Sequence, residues 1–429
     1  MTAQEVLAVL ISLTALSSYI NYRFLKLPKS IGLTLITLTV ALLMESSNRL
    51  GWHLESFIKD LLENIKFDET FLHGMLSFLL FAGALHVNTI ELAKHKLVVL
   101  LLATFSVALS TFLVGFATFG LAQCLGITVS LGYCLVFGAL ISPTDPIAAL
   151  GVLKNARVPK AVEMNIAGEA LFNDGMGIVL FVILLEVANG PHKEWTPLNI
   201  MGFFLQQGLG GLLLGLTLGW FSSKILSSID DYSVSIILTL ALVTGGYALA
   251  ESVMHVSGCI CMAVCGLVIG ATIKSWRMTK ASINNLEACW FFLDEILNAI
   301  LFVIIGIEFL QLIFTLNIIY AALGAIVIVL MARWISVALP FAFICKFKNF
   351  NTQTVFIMTW GGLRGGISIA LALTIPEGEA RDFTVAITYA VVLFSIMVQG
   401  LTLGSVVQRT KFRKNFMPDT LEPVTIESF

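Results

Sequence analysis

The feature that most restricts the fold of this chain is the recurrence of long apolar runs. Runs of about 20 residues cross the hydrocarbon of a bilayer as helices, and about thirteen of them follow one another here. Only 12% of the residues are charged, against about 25% in soluble domains, which excludes a soluble fold. The predicted spans lie at about 5–22, 31–45, 70–88, 97–123, 131–153, 164–188, 199–223, 232–254, 258–273, 288–312, 316–344, 353–375 and 383–408.

The distribution of basic residues predicts the orientation of these spans. Lysine and arginine accumulate in cytoplasmic loops. An external N-terminus places eighteen of the 25 on the cytoplasmic side, five outside, and Arg333 and Arg364 inside spans. We therefore expect a multi-pass protein of the cell (inner) membrane, with its N-terminus outside and its C-terminus cytoplasmic. The net charge of −2, without a basic face, disfavours nucleic acid as a partner.

The number of spans also suggests an internal repeat. Spans 1–6 begin outside, and if span 7 is a linker, spans 8–13 begin inside, which is the inverted repeat of many transporters. We therefore expect one all-α integral membrane domain over 1–414. It contains repeats at about 5–188 and 232–408 and a linker helix at about 199–223. Residues 415–429 are predicted to form a short cytoplasmic tail.

Spans 5 and 12 are the fifth spans of the two predicted repeats, and their sequences are the least favourable to a helix. Span 5 contains Ser-Pro-Thr-Asp-Pro at 142–146, where two prolines remove backbone donors and disfavour α geometry before them. Span 12 contains Gly-Gly-Leu-Arg-Gly-Gly at 361–366, where glycines weaken the helix. Such backbone is tolerated only inside protein or against a wet cavity. We expect both spans to break there, leaving oxygens suited to a small cation; the alternative is a kink capped by Asp145.

Ionisable residues inside the spans point to ion transport, because a charge at bilayer depth costs at least about 2.5–3.5 kcal/mol. On span 6, Asp174 lies about 140° round the helix from Glu169, so we expect one acid in a structural ion pair and the other at a cavity. Arg364 stays protonated and needs a carboxylate, which we expect Glu169 to provide. A second polar set is interpreted as structural or interfacial: Asp294, Glu295, Asn298, Glu308 and Arg333.

Together the motifs resemble those of the cation/proton antiporter superfamily, in particular its NhaP-type sodium/proton exchangers. The residues that carry this resemblance are Thr-Asp-Pro at 144–146, Gly-Glu-Ala-Leu-Phe-Asn-Asp-Gly at 168–175, the glycine-rich run around Arg364, and Ser-Gly at 257–258. The resemblance covers essentially the whole chain and implies the NhaA/NhaP-like fold, a homodimer in membrane lipid, and a role in pH homeostasis. It implies secondary active exchange of a monovalent cation (Na+, Li+ or K+) for protons, with no cofactor beyond these ions.

The resemblance also assigns roles around the ion. It implies that Asp174 binds the cation and the proton in turn, that Thr144 is a cation ligand through its backbone, and that Asp145 is a partner at the helix crossing. Asn173 occupies the place of an aspartate in electrogenic relatives, so its neutrality resembles the electroneutral branch.

Other positions match a structural role or depart from the family pattern. Glu169 and Arg364 match the structural ion pair of the family. Many relatives have a glutamate and a serine near the ion where this chain has Ala82 and Ala170, which leaves the preferred cation open.

Two other functions would use a similar set of residues. A channel or uniporter also needs polar groups at the midplane, and it would carry currents that follow voltage. An intramembrane aspartyl protease would use Asp145 and Asp174, but span 6 lacks Gly-x-Gly-Asp and an Asp-Pro break fits a catalytic pair poorly. We therefore predict a transporter and not an enzyme. Strict exchange results if Asp174 must be neutralised by a proton or a cation before the site moves.

Overall fold

The computed structural model describes residues 3–49, 72–87, 89, 92, 96–145, 149, 160–189, 197–273, 278–309, 315–345 and 352–409, and all regular structure in them is helical. Each predicted span overlaps a helix, which confirms the all-α prediction. The helices are α1 (Ala3–Ile20), α2 (Lys29–Arg49), α3 (Leu72–Leu85), α4 (Lys96–Leu101 and Val107–Cys124), α5 (Leu131–Ile141), α6 (Lys160–Ala188), α7 (Pro197–Leu226), α8 (Tyr232–Ala248), α9 (Gly258–Thr272), α10 (Lys280–Glu308), α11 (Leu316–Cys345), α12a (Thr352–Trp360), α12b (Gly366–Leu373) and α13 (Glu379–Phe394 and Gly400–Arg409).

Seven helices of the described part are long and apolar enough to cross a membrane by length and composition: α4, α6, α7, α8, α10, α11 and α13. Helices α3, α5 and α9 are apolar but shorter. Short π-helical turns extend or interrupt the long helices, at Asn21–Leu25, Leu102–Ser106, Leu249–Val253 and Ser395–Gln399. Such turns occur frequently at functional sites, and the last of them lies beside the break between α12a and α12b.

A tight turn joins α1 to α2, whose axes meet at 108°. Pro28 disfavours helical geometry in the residue before it, and Lys26 adopts a left-handed conformation with φ 53°. The Asn21 side chain closes the turn, because it accepts from the Leu27 N–H (3.2 Å) and donates to the Leu27 carbonyl (3.0 Å). Gly32 leaves room for this side chain, since a Cβ there would lie 2.2 Å from Cγ of Asn21.

Helix α5 is held closely between α4 and α6, and this packing positions its broken end. A Cβ on Gly138 of α5 would lie 2.2 Å from the Thr111 carbonyl oxygen of α4, and a Cβ on Gly177 of α6 would lie 2.2 Å from Cγ of Pro143. Small residues let helix backbones approach each other in this way. The glycines therefore fix where the Ser-Pro-Thr-Asp sequence leaves the helix.

We expect Gly138→Ala to destabilise the protein by about 1–3 kcal/mol, because the new methyl group meets backbone atoms that cannot turn aside. The measurement is the thermal unfolding midpoint of the purified protein in detergent, followed by tryptophan fluorescence. Gly120→Ala is the matched control, because no heavy atom lies within 4 Å of a Cβ built at Gly120 of α4. That change should be neutral or stabilise by up to about 1 kcal/mol. Equal midpoints for the two variants would contradict the packing argument.

Candidate functional site

Two helices break inside the bundle where the prolines and glycines predict. Helix α5 ends at Ile141 and is followed by non-helical residues up to Asp145, while residues 361–365 separate α12a from α12b. The two breaks touch, because the Asp145 N–H donates to the Leu363 carbonyl over 2.7 Å. Backbone groups freed by one break therefore bond to the other, as buried polar groups require. Pro146 lies outside the described residues.

Each broken helix end meets a side chain of opposite charge. The Asp145 carboxylate lies beside Gly365, since a Cβ on that glycine would be 2.6 Å from Oδ2 of Asp145. Gly365 precedes α12b, and the start of a helix carries partial positive charge. At the other break, Nη1 of Arg364 donates to the carbonyl oxygens of Ser142 and of Pro143, the latter at 2.8 Å. These carbonyls follow α5, where a helix end is negative.

The π-helical turn of α13 also holds the α12 break in place. The Ser395 hydroxyl accepts from the Arg364 backbone N–H over 2.8 Å, and the Gln399 amide donates to the Trp360 carbonyl over 3.2 Å. Both side chains are buried. The non-helical backbone between α12a and α12b is therefore hydrogen-bonded to α13. Backbone of this kind is tolerated at membrane depth only where protein or water satisfies it.

The buried ion pair of the site differs from the predicted one. Glu169 is paired with Arg333 of α11: Nη1 donates to Oε1, and Nη2 donates to Oε2 over 3.0 Å. The two side chains are 1% and 5% exposed. The prediction that Glu169 pairs with Arg364 is wrong, because Arg364 binds the carbonyls at the end of α5 instead. The signal that could have identified Arg333 is its place well inside an apolar span, where an arginine needs a carboxylate.

Asn173 joins α6 to the break of α5. Its Nδ2 donates to Oγ1 of Thr144 over 2.8 Å, and both side chains are buried. Its Oδ1 has no hydrogen-bond partner among the described residues. A buried acceptor of this kind demands an explanation such as water or an ion. The site therefore offers an amide oxygen next to the Thr144 hydroxyl.

Asp174 is the second acid of α6, and it is 5% exposed. It takes part in none of the ion pairs formed by the described residues. The charge of Asp145 acts on it, so two carboxylates share this region. The following residue, Gly175, packs against the start of α9, since a Cβ there would lie 2.8 Å from Cγ1 of Ile260. Among the described residues, Glu169 is therefore in an ion pair, whereas Asp174 is in none.

The arrangement brings together most of the residues that the sequence singles out. Asp174, Asn173, Thr144 and Asp145 lie at the contact of α6 with the α5 break, and they supply carboxylate, amide and hydroxyl oxygens. Oxygen ligands of this kind suit hard cations. Ala82 and Ala170 are buried and contribute no oxygen from their side chains. Asp174 is buried, takes part in none of the ion pairs formed by the described residues, and follows Asn173, whose Oδ1 has no partner among them, so it can hold a proton or a small cation.

Comparison with known proteins gives consistent results at the level of sequence and fold. The sodium/hydrogen exchanger transmembrane family matches residues 9–409. The chain is 41% identical over 413 residues to the Na(+)/H(+) antiporter NhaP of Pseudomonas aeruginosa, covering 94% of this chain and 96% of that protein. It is 32% identical over 410 residues to the Na(+)/H(+) antiporter NhaH of Halobacillus dabanensis, with coverage of 94% and 96%. Its fold is similar to that of the sodium proton antiporter MjNhaP1 from Methanocaldococcus jannaschii, with a TM-score of 0.73, 19% identity, and coverage of 94% of this chain and 97% of that one.

Proposed function

The chain belongs to the sodium/hydrogen exchanger family and is a cation/proton antiporter, and we propose that Asp174 is the group that carries the exchanged ions. The family resemblance inferred from the motifs is thereby confirmed. The observation that supports Asp174 is its isolation: it is buried beside the α5 break, while Glu169 is held by Arg333. Asp174 is thus a carboxylate that remains available for a transported ion.

Competition for one carboxylate accounts for coupled exchange. A bare carboxylate at bilayer depth is unfavourable, and either a proton or a monovalent cation removes its net charge. We propose that the site moves across the barrier only in these two neutral forms. Asn173 Oδ1 and the oxygens of Thr144 complete the cation shell, and Asp145 raises the local attraction for a cation.

The charged and neutral side chains at the site favour one-for-one, electroneutral exchange. Asn173 is neutral, and its amide is held by Thr144. Glu169 is bound to Arg333 through both oxygens, so in this structure it is not available to a transported ion. One carboxylate then exchanges one cation for one proton, and no net charge crosses the membrane.

Alternating access requires a surface along which α6 can move, and the apolar packing next to the site is suited to it. A cleft of about 740 Å³ lies between α4, α6, α7 and α9. Phe172 and Met176 line it from α6, and Leu209 and Leu267 line it from the opposite side. Apolar surfaces can slide past each other without breaking hydrogen bonds, and we propose that α6 and the broken helices move against α7 and α9.

The chain is a multi-pass membrane protein, and we propose the cell membrane as its location. The bias of basic residues in its loops supports an external N-terminus and a cytoplasmic C-terminus. The inverted repeat and the homodimer stay predictions of the sequence.

The test of this function is cation-dependent proton movement in everted membrane vesicles from cells that lack their own antiporters. We expect Na+ or Li+ to dissipate a respiration-generated pH gradient, with the response to K+ measured in the same assay. The initial rate should not change when thiocyanate collapses the membrane potential, because the exchange is electroneutral. Vesicles without the protein provide the background.

The outcomes separate the parts of the proposal. No response to any of the three cations, with the protein present in the membrane, would overturn exchange. A rate that depends on the potential would contradict electroneutrality, and a current without coupled proton movement would indicate a channel.

A further inference from the structure

We propose that Asp294 of α10 lies on the route by which the cation reaches Asp174, and that it raises the apparent affinity for the cation without carrying the exchanged ion itself. This inference rests on the function proposed above. It replaces the interpretation of Asp294 as a structural or interfacial residue.

The position of Asp294 in the membrane requires an explanation. It lies six residues after the start of the predicted span at 288–312, in a helix that is apolar from Lys280 to Ile307. It is only partly buried, and it forms none of the ion pairs among the described residues. The next residue, Glu295, differs because it is paired with Lys29 at the surface. An ionisable residue inside a membrane span marks an ion pathway by default.

A neighbouring amide fixes the orientation of the Asp294 carboxylate. Nδ2 of Asn298 donates to Oδ1 of Asp294 over 3.0 Å and to its backbone carbonyl over 2.8 Å. Asn298 is itself buried, so the carboxylate is held by a rigid partner on the same helix. Oδ2 makes none of these hydrogen bonds, which leaves one oxygen for a passing cation.

The face of α10 that carries Asp294 leads to the crossing of the broken helices. Residues 294, 298, 301 and 305 lie within about 60° of one another on the helix. Leu301 and Ile305 contact the start of α12b, since a Cβ on Gly366 would lie 2.5 Å from Cγ of Leu301 and 2.9 Å from Cδ1 of Ile305. Gly366 follows Gly365, which contacts the Asp145 carboxylate. Asp294 is therefore two to three helical turns from the residues of α10 that contact the break of α12.

Electrostatics connects the two ends of this face. The charges of His86, at the end of α3, of Asp145 and of the adjacent Glu295 act on Asp294. His86 is anchored next to α10, with Nδ1 2.8 Å from the Ala82 carbonyl and Nε2 3.3 Å from the Glu287 carbonyl. Carboxylates placed in series between low-dielectric walls concentrate cations and raise their arrival rate. Asp294 therefore acts before Asp145 and Asp174 on the path of the cation.

The test is the kinetics of Na+-driven proton movement by the purified protein in liposomes. We expect Asp294→Asn to raise the KM for Na+ about tenfold, because the cation is no longer concentrated near the site, while the maximal rate stays within about twofold. Asp294→Glu should restore most of the affinity, since it keeps the charge. Asp382→Asn is the control: it makes the same chemical change at an exposed position at the start of α13, and its KM should equal that of the unmodified protein.

Ionic strength provides a second readout that a purely structural role would not change. Choline chloride should raise the KM of the unmodified protein, because salt screens the attraction, and it should have little effect on Asp294→Asn. A KM unchanged in Asp294→Asn, or a lower maximal rate with unchanged KM, would overturn the inference. These results differ from failure of the proposed function, in which the unmodified protein in the same liposomes would not exchange Na+ for protons.

Discussion

Replacing Asp174 with asparagine abolishes cation-dependent proton movement and leaves the protein folded. An amide of the same shape cannot exchange a proton for a cation, so neither neutral form of the site can be made. The change also removes one of two carboxylates that act on each other, and no ion pair among the described residues is broken. We therefore expect the thermal unfolding midpoint to stay equal or to rise, since like charges in a buried site repel each other.

The measurement combines activity in liposomes with thermal unfolding of the same preparation. Asp382→Asn is the matched control, because it makes the same chemical change at an exposed position at the start of α13, and it should leave both quantities unchanged. Full exchange activity in Asp174→Asn would show that another group carries the ions. Loss of activity together with a large fall in the unfolding midpoint would point to a structural role for Asp174.

Competition at Asp174 also has a kinetic signature in the unmodified protein. If one carboxylate holds either ion, protons raise the apparent KM for the cation by up to about tenfold for each unit by which the pH falls, and the maximal rate at saturating cation does not change. A maximal rate that falls with pH at saturating cation would contradict competition for a single group.

The sequence predicts the helical spans and their breaks well because each is determined by the residues at that place in the chain. Apolar run length defines the spans, and Pro143 and the glycines at 361–366 lie at the breaks. Both effects act on the backbone of the residues that carry them. The same holds for the difference between the acids of α6, because their angular separation follows from helix geometry alone. The assignment of the ion-binding role to Asp174 came from the resemblance to the family.

The partner of Glu169 could not be predicted in the same way. A helical wheel states which face a residue occupies, and it does not state which of two distant spans lies opposite that face. Arg333 and Arg364 both fall inside apolar spans, and each needs negative charge. In the structure, Nη1 of Arg364 binds the carbonyls that the α5 break exposes, a set of acceptors that exists only once the chain is folded. The carboxylate then remains for Arg333.

Removing the charge of Glu169 is expected to destabilise the protein by about 3–5 kcal/mol, because it leaves Arg333 buried without its carboxylate. The measurement is the free energy of unfolding of Glu169→Gln in detergent, compared with that of the unmodified protein. Glu377→Gln is the control for loss of an acid from an ion pair: Glu377 is 93% exposed and lies 3.8 Å from Arg381. Exposed pairs of this kind contribute little, so its stability should not change.

A double-mutant cycle distinguishes the observed pair from the one that the motifs imply. Glu169→Gln and Arg333→Gln together should cost much less than the sum of the two single changes, since residues in one buried ion pair are coupled. Glu169→Gln and Arg364→Gln should be closer to additive, because Arg364 makes its hydrogen bonds to Ser142 and Pro143. Strong coupling of Glu169 with Arg364, and none with Arg333, would mean that the two arginines exchange roles during transport and that the ion pair belongs to one state of the site.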